Sequence, residues 1–554
     1  MGDLVLAAKG RGRARVERVI GPARSIETVL EALLVEEGLE TAVWPQAGRP
    51  VISDGRTGKP ARPEGGTASG ALGEGFEPHE APAPSLEGRV DLRELTTFTI
   101  DPDTAKDFDD AISVRAEGDG LRAWVHIADV SYFVPADSPL DRGAAERANS
   151  VYVPGLVAPM LPPELADDAC SLRPHQDRLC VTVEVPFDAA LQPGDPTFYR
   201  SVINSRERLT YGRAEAILGG RERAEPEIAE GLRLAERLAT ELRRRRFARG
   251  ALRIEAREIT FAFDGAGGVE RAWWEAEPHA HSLVEELMIL ANEAVAGLLA
   301  GRRREALYRV HEPPEPQAVQ LLLSKLADLG VPTPPAPSAD SMSPSDAARA
   351  AAEASERVTD YVERSGRGRE AFPALVLRSL KQARYDPRNL GHAGLASTAY
   401  CHFTSPIRRY PDLVCHRALL RELGQGDDPP TEDLSELAEH TSLQEREAAQ
   451  IEYRADEICL AWLLVRELFE RGWEEPFAGE VIGVIPSGLF VRFGEVFEGY
   501  LPVRRLPGDY FQLNDLGTAL VGRRSGRPYR LGDPLEVRVE DIRKGEGKVE
   551  VTLV

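Results

Sequence analysis

The 554-residue chain reads as a multidomain α+β protein, with a mixed α/β central domain, a C-terminal OB-type β-barrel and a small N-terminal module. Three observations carry that expectation. The length exceeds what a single hydrophobic core serves, so roughly three or four domains are expected. The central region sets strand-like runs ahead of long helical periodicities. The C-terminal region breaks into five short strand-like runs between Gly and Pro turns, the pattern of a small closed barrel.

Taken in order, residues 1–87 form a short N-terminal module plus linker. Leu4–Ala8 and Ala14–Ile20 read as strands around a basic turn at Lys9–Arg15, and Ile26–Glu37 has helical spacing with Ser25 at its N-cap. Gln46–Pro84 is rich in Gly, Pro, Ala and Ser and reads as a linker. The central domain spans 88–471. Its strands are expected at Phe98–Ile100, Ala111–Val114, Ala123–Ile127 and Leu179–Val185. Its helices are expected at Arg213–Leu218, Glu227–Arg249, Ser282–Ala300 and Pro316–Leu329, with a Pro/Ser-rich loop at Val331–Asp346. The barrel spans 472–554, its strands expected at Phe477–Ile485, Gly488–Phe493, Gly499–Pro502, Pro534–Ile542 and Lys548–Leu553. Phe490, Phe493, Phe497 and Tyr500 lie on or beside its middle strands. Such residues either fill a barrel or stack bases on its face.

Composition narrows the classes. Hydrophobic residues make up 42% and charged residues 29%, an ordinary globular balance. No run approaches a membrane span, since the most apolar helix, Leu283–Ala300, carries Glu285, Glu286 and Glu293. Five scattered cysteines without CxxC spacing argue against a zinc site or a disulfide framework, and with no apolar leader in view a cytoplasmic location is expected. The net charge of −22 disfavours an exposed duplex-DNA-binding face but not a locally basic channel.

The segment Thr99-Ile-Asp-Pro-Asp-Thr-Ala-Lys-Asp-Phe-Asp-Asp-Ala111 carries the chemistry. It sets Asp101, Asp107, Asp109 and Asp110 between two apolar strands. Hard divalent cations prefer carboxylate oxygens, and two such ions side by side activate water and stabilise a phosphodiester's leaving oxygen. A calcium EF-hand fits poorly, because Ala105 occupies a ligand position and Lys106 the position that needs Gly. On spacing alone, an acidic turn in solvent fits equally well. A second segment, Tyr400 to His416, joins a Ser-Pro turn to the pair Arg408-Arg409 and a following helix. An arginine fork stabilises charge in phosphoryl transfer, although paired arginines more often make surface ion pairs. His126, His392, His402 and His416 read as structural, and Ser405 has no partnered base.

Together these segments resemble the catalytic domain of the RNase II/RNase R (RNB) family. The resemblance rests on Ile100 to Ile112, His126-Ile-Ala-Asp-Val-Ser-Tyr-Phe-Val134, Leu161-Pro-Pro-Glu-Leu165, Glu285 to Asn292, Lys381-Gln-Ala-Arg-Tyr385, and Gly391-His-Ala-Gly-Leu395 through Thr404-Ser-Pro-Ile-Arg-Arg-Tyr-Pro-Asp412. The motifs run in family order, and the terminal barrel resembles the family's ribosomal-protein-type OB domain. The resemblance implies a hydrolytic 3′-to-5′ exoribonuclease that degrades single-stranded RNA processively to nucleoside 5′-monophosphates. It would act as a monomer, with no membrane partner and with its action on structured RNA left open.

The same resemblance implies two Mg²⁺ ions, Mn²⁺ an acceptable substitute, held by Asp101, Asp107 and Asp110. Asp109 would orient the attacking water or complete the second metal site. Arg408 would stabilise the transition state, with Arg409 beside it on the RNA. Tyr152 and Tyr211 would contact RNA, as would one of Glu285 and Glu286. The chain departs from the family pattern at its N-terminal region, where a winged-helix-like or truncated cold-shock module replaces two full barrels, and at Ala393, where Phe is commoner. The alternatives are a catalytically weak, RNA-binding relative of the same fold and a metal phosphodiesterase acting on small nucleotides. The intact aspartates with Arg408 argue against the first; the barrel and the tyrosines argue against the second.

Overall fold

The computed structural model describes residues 2–9, 14–39, 85–253, 258–265, 267–275, 279–426 and 433–554. The linker expected at Gln46–Pro84 and the tip of the basic turn at 10–13 lie outside the described residues.

The N-terminal module is an antiparallel hairpin of β1 (Asp3–Lys9) and β2 (Ala14–Pro22) followed by α1 (Ile26–Glu36). Ser25 occupies the N-cap position, though its side chain makes no capping hydrogen bond. Helix α1 is not a free-standing unit. Its apolar stripe, Ile26, Leu30, Leu33 and Leu34, is buried in one cluster with Val151, Val153 and Ile451 of the central domain. The Ile26 N–H donates to Gly267 O at 3.1 Å, and Arg454 pairs with Glu37 at 2.5 Å.

The central domain is organised by a seven-stranded sheet. Its strands are β3 (Val90–Asp91), β4 (Phe98–Asp101), β5 (Asp110–Glu117), β6 (Gly120–Ala128), β7 (Asp177–Phe187), β8 (Thr197–Asn204) and β9 (Glu207–Thr210), in the order β9-β4-β5-β6-β7-β8-β3. The edge pairs β9–β4 and β8–β3 are parallel and the inner pairs antiparallel. Helices α2 (Pro226–Ala248) and α3 (His279–Gly301) cover one face, placing Leu232, Ala235, Leu287 and Ala291 against Phe98, Ile112, Val114 and Val183. The helices expected near Glu227 and Ser282 therefore form, with ends displaced by a few residues. The Pro/Ser-rich loop stops at Ser343, which caps α4 (Pro344–Ser365) with a complete capping box.

Two further helices bear on the site. Helix α5 (Tyr410–Glu422) is buried along nearly its whole length, and α6 (Leu434–Arg471) runs for 38 residues from the central domain to the barrel. A sequence reading by apolar stripe passes over α6, because it is packed on several sides by different partners and no single stripe dominates.

The C-terminal strands close as expected. β10 (Phe477–Ile485), β11 (Gly488–Phe493), β12 (Phe497–Pro502), β13 (Pro534–Arg543) and β14 (Lys548–Leu553) form a barrel in the order β10-β11-β12-β14-β13. The alternation of a strand divides the four aromatics. Phe493 and Phe497 are barrel core, while Phe490 and Tyr500 pair on the outer face with rings 5.5 Å apart. The barrel sits tightly on α6. Lys544 Nζ lies 3.9 Å over the Trp462 ring, and Gly547, at φ 69°, is so close that a Cβ there would sit 2.6 Å from Glu457 Cβ. No described helix is long and apolar enough to cross a membrane, and all five cysteines are buried and unbridged.

Candidate active site

Strand ends place the carboxylates. Asp101 is the last residue of β4 and Asp110 the first of β5, so the intervening loop carries Asp107 and Asp109 across the same sheet edge. The loop is clamped from below. The buried Ser171 Oγ accepts from Phe108 N at 3.0 Å and donates to Lys106 O at 2.7 Å, and Leu172 N donates to Phe108 O at 2.9 Å. Asp107 and Asp109 are thus held on a backbone whose peptide groups on either side of Phe108 are satisfied. The Asp109 carbonyl accepts from Ala128 N at 2.9 Å, tying the loop to the end of β6.

A turn nearly three hundred residues onward closes over this loop. Asp109 Oδ1 accepts from Ile407 N at 2.8 Å, and Arg408 Nε lies 3.5 Å from Asp109 Oδ2. The turn is pinned to α5, because Asp412 Oδ1 accepts from Ser405 N at 2.8 Å. Arg408 remains half exposed, whereas Asp109 is buried. Arg409 behaves differently from its neighbour. Its guanidinium grips Asp412 with two bonds, Nε–Oδ2 at 2.9 Å and Nη2–Oδ1 at 2.8 Å, and so anchors the turn to the helix. Of the two arginines, Arg408 is the one turned toward the carboxylates.

Tyr152 arrives on the short hairpin Val151–Val153/Leu156–Ala158. Its hydroxyl donates to Asp107 Oδ2 at 2.8 Å, and its ring is 37% exposed. Its backbone N–H donates to Glu452 Oε1 at 2.8 Å, which brings α6 into the site. Tyr211 is placed by sheet register. Thr210 of β9 pairs with Asp101 of β4, so the next residue opens a helix beside the cluster, with its ring 5.4 Å from His281. Glu285 lies one turn after His281 on the same face of α3. The structure separates the two glutamates: Glu286 is 2% exposed and holds the buried Arg246 at 2.5 Å, while Glu285 is 38% exposed.

The electrostatics are strained in the way a cation site requires. Burial, with the Asp110 charge second, pushes the Asp101 carboxyl up to about 7. Burial raises Asp110 to about 6 even against Arg408 and Arg409. Burial also lifts Asp109 well above the carboxylate range, opposed by Arg408. Asp167, on the one-turn π-helix Glu164–Ala169 that leads to Ser171, is raised to about 6 by burial and then by Asp107. Asp101 Oδ2 and Asp109 Oδ2 are buried and accept no hydrogen bond. No three His, Cys, Asp or Glu groups among the described residues close a metal cage by themselves. The donor set, all hard oxygens with Asp101 Oδ2 buried and without a hydrogen bond, fits Mg²⁺, which commonly takes one or two carboxylates and leaves its other positions to water and substrate phosphate.

All ten residues expected at the site from sequence are present, though not in equal roles. Asp101, Asp107, Asp109, Asp110, Arg408, Tyr152 and Tyr211 converge, and Glu285 faces outward on α3. Glu286 and Arg409 are occupied in ion pairs. The histidines are structural in their contacts: His126 is buried between Ser113 and Thr182, and His416 Nε2 bonds Phe403 O at 2.8 Å. Sequence reasoning passed over Glu452, Ser171 and Asp167. Glu452 sits within a charge-rich helix and carries no local signal. Ser171 and Asp167 follow directly on the recognisable Leu161–Leu165 motif.

Known proteins resemble this chain in sequence and in fold. The RNB domain matches residues 89–425 and the S1 RNA binding domain residues 474–553. Ribonuclease R of Escherichia coli is 38% identical over 493 residues, covering 86% of this chain and 58% of that protein. Ribonuclease R of Aquifex aeolicus is 37% identical over 497 residues, covering 86% of this chain and 66% of its own length. The chain thus spans less than two thirds of these relatives. Mycoplasma genitalium RNase R in complex with ribose methylated single-stranded RNA superposes with a TM-score of 0.82 at 25% identity, covering 98% of this chain and 80% of that one.

Proposed function

Because the chain belongs to the RNB family, we propose that it is a hydrolytic 3′-to-5′ exoribonuclease that shortens single-stranded RNA processively, releasing nucleoside 5′-monophosphates. The observation that carries the reading is the junction of Asp109 with the Ile407–Arg408 turn: a buried carboxylate, a backbone donor and a half-exposed guanidinium assembled from opposite ends of the domain. Such an assembly serves no packing purpose that an apolar contact would not serve at lower cost. The reading extends to a monomer working in the cytoplasm. Its nearest rival, an RNA-binding relative without activity, keeps the fold but has no use for four clustered carboxylates.

Asp101, Asp107 and Asp110 would hold Mg²⁺, or Mn²⁺ in its place, with Asp109 facing the same space. The bound ions supply Lewis-acid polarisation of the phosphodiester and activation of water. The chain's own groups do the rest. Asp109, oriented by Ile407 N–H, accepts a hydrogen bond from the water that attacks phosphorus. Arg408 offers guanidinium donors to the phosphoryl oxygens as charge builds on them. The P–O3′ bond breaks, so the shortened RNA keeps a 3′-hydroxyl and the released nucleotide carries a 5′-phosphate. Tyr152, with its hydroxyl held by Asp107, presents a ring on which any base can stack. Tyr211 and Glu285 flank the position of the terminal nucleotide, where contacts to the 2′-hydroxyl select RNA over DNA.

The test uses 5′-labelled single-stranded RNA with and without Mg²⁺, comparing the wild-type chain with Asp109→Asn. Stepwise Mg²⁺-dependent shortening to a small labelled product, lost in the variant, is expected. Tight RNA binding with no shortening under Mg²⁺ or Mn²⁺ would refute the enzyme reading.

A further inference from the structure

A cleft of about 420 Å³ opens between α2, α3 and α4, and none of its lining residues belongs to the carboxylate cluster. Its chemistry is unusual for so acidic a chain. Phe247 lines it, with the guanidinium carbons of Arg243 and Arg253 5.7 and 5.0 Å from the ring centroid. Neither arginine has a carboxylate partner among the described residues. Arg243 donates to Ser282 Oγ at 2.7 Å. Arg253 is held in place through its backbone: its carbonyl accepts from Ser355 Oγ at 2.8 Å and from Thr359 Oγ1 at 3.4 Å. Of the two acidic residues lining the cleft, Glu236 is met by His279 at 3.2 Å, and Glu363 is exposed at the rim.

We propose that this cleft binds a nucleoside 5′-monophosphate. Two guanidiniums within about 6 Å of one ring, beside the Ser282 and Thr359 hydroxyls, match a phosphate through paired N–H donors. The guanidinium planes packed over the Phe247 ring offer their outer faces for a base to stack on, held flat by the ring beneath. The volume suits a mononucleotide and is at the small end for ligand sites, too small for a polymer. The cleft is also wired to the catalytic face. Arg246, the residue before Phe247, has its guanidinium carbon 5.0 Å from the same ring and reaches Glu286 and Glu285 at 2.5 and 3.4 Å. Occupation of the cleft would thus bear on Glu285 from behind. That the ligand is also the reaction product rests on the proposed function; the binding chemistry does not.

The experiment is equilibrium dialysis of labelled adenosine 5′-monophosphate against the full chain in EDTA, where the metal-free carboxylate cluster repels phosphate. Inorganic phosphate and adenosine are the comparison probes. Binding of the monophosphate that is weakened by about tenfold or more in Arg253→Ala, with both probes bound far more weakly than the nucleotide, is the expected result. Arg253 is exposed, so that variant should melt as the wild type does; Phe247→Leu, also checked by melting, tests the stacking surface independently. Unchanged affinity in Arg253→Ala, no binding at millimolar nucleotide, or inorganic phosphate binding as tightly as the nucleotide would each overturn the proposal. RNA shortening by the wild type is assayed separately, so failure of the exonuclease reading is distinguishable from failure of this one.

Discussion

Replacing Asp101 by Asn should stabilise the metal-free protein while disabling it. Asp101 is 9% exposed, and its carboxyl is pushed up to about 7 by burial and by Asp110. An unfolded chain ionises the same group near pH ~3.9, so the folded state holds an extra proton between those values. Where the folded state binds more protons than the unfolded one, stability falls as pH rises, and here that fall runs from about pH 4 to 7. Three pKa units at about 1.36 kcal/mol each set a ceiling of about 4 kcal/mol at pH 8. Sharing of the proton with Asp110 and relaxation around the ionised pair bring the expected gain to about 1–3 kcal/mol. At about 2.1 cal/mol/K of unfolding entropy per residue, a domain as large as the central one shifts its melting temperature by about 1–4 °C.

The assay is calorimetric melting in EDTA at pH 5 and pH 8, then at pH 8 with Mg²⁺ added. Wild type should lose stability between the two pH values and regain it with Mg²⁺, by about 2.7 kcal/mol when the ion is at a hundred times its dissociation constant. Asp101→Asn should show a shallower pH dependence and little response to Mg²⁺. If the variant melts below wild type at pH 8 in EDTA, or responds to Mg²⁺ as wild type does, the carboxylates are stabilised internally and the cation-site argument fails.

Other substitutions divide positioning from contact. Arg408→Ala should lower kcat by about a hundredfold or more with little change in melting, whereas Arg409→Ala should destabilise by about 1.5–3 kcal/mol because it strips a two-bonded partner from buried Asp412; equal stability losses would refute the distinction. Glu286→Ala should cost about 1.5–3 kcal/mol by stripping the buried Arg246 of its 2.5 Å partner and leaving it Glu285 at 3.4 Å, and Glu285→Ala should weaken RNA binding with a smaller loss of stability, read by titration with a labelled oligonucleotide and by melting. Ser171→Ala should lower kcat about tenfold at unchanged KM, since it loosens the loop under Asp107 and Asp109 without touching RNA; partial recovery in Ser171→Thr would mark the role as positioning.

Much of this protein is legible in its sequence because the signals are local. The barrel strands follow from a two-residue alternation, and three of their five ranges agree residue for residue. The strands around the aspartates follow from apolar runs on either side of an acidic loop, and the convergence of that loop with the Arg408 turn from motif order. What local reading could not supply depends on partners distant in the chain. Helix α6 lacks a dominant stripe because the catalytic core, α1 and the barrel each bury a different part of it, so Glu452 looked like one surface charge among many. Arg408 and Arg409 are adjacent and chemically identical, and only Asp412 on one side and Asp109 on the other tell them apart. Glu285 and Glu286 are likewise neighbours on a helix, turned about 100° from each other by its 3.6-residue repeat. The sequence by itself determined the barrel strands, the strands around the aspartates and the striped helices through periodicity, and the set of chemistry-bearing residues through motif. The tertiary structure decided which of each like-charged pair stays exposed and which is tied down, because that choice depends on where each counter-charge comes to rest: Asp412 beside Arg409, Arg246 of another helix beside Glu286, and Asp109 from the far end of the domain beside Arg408.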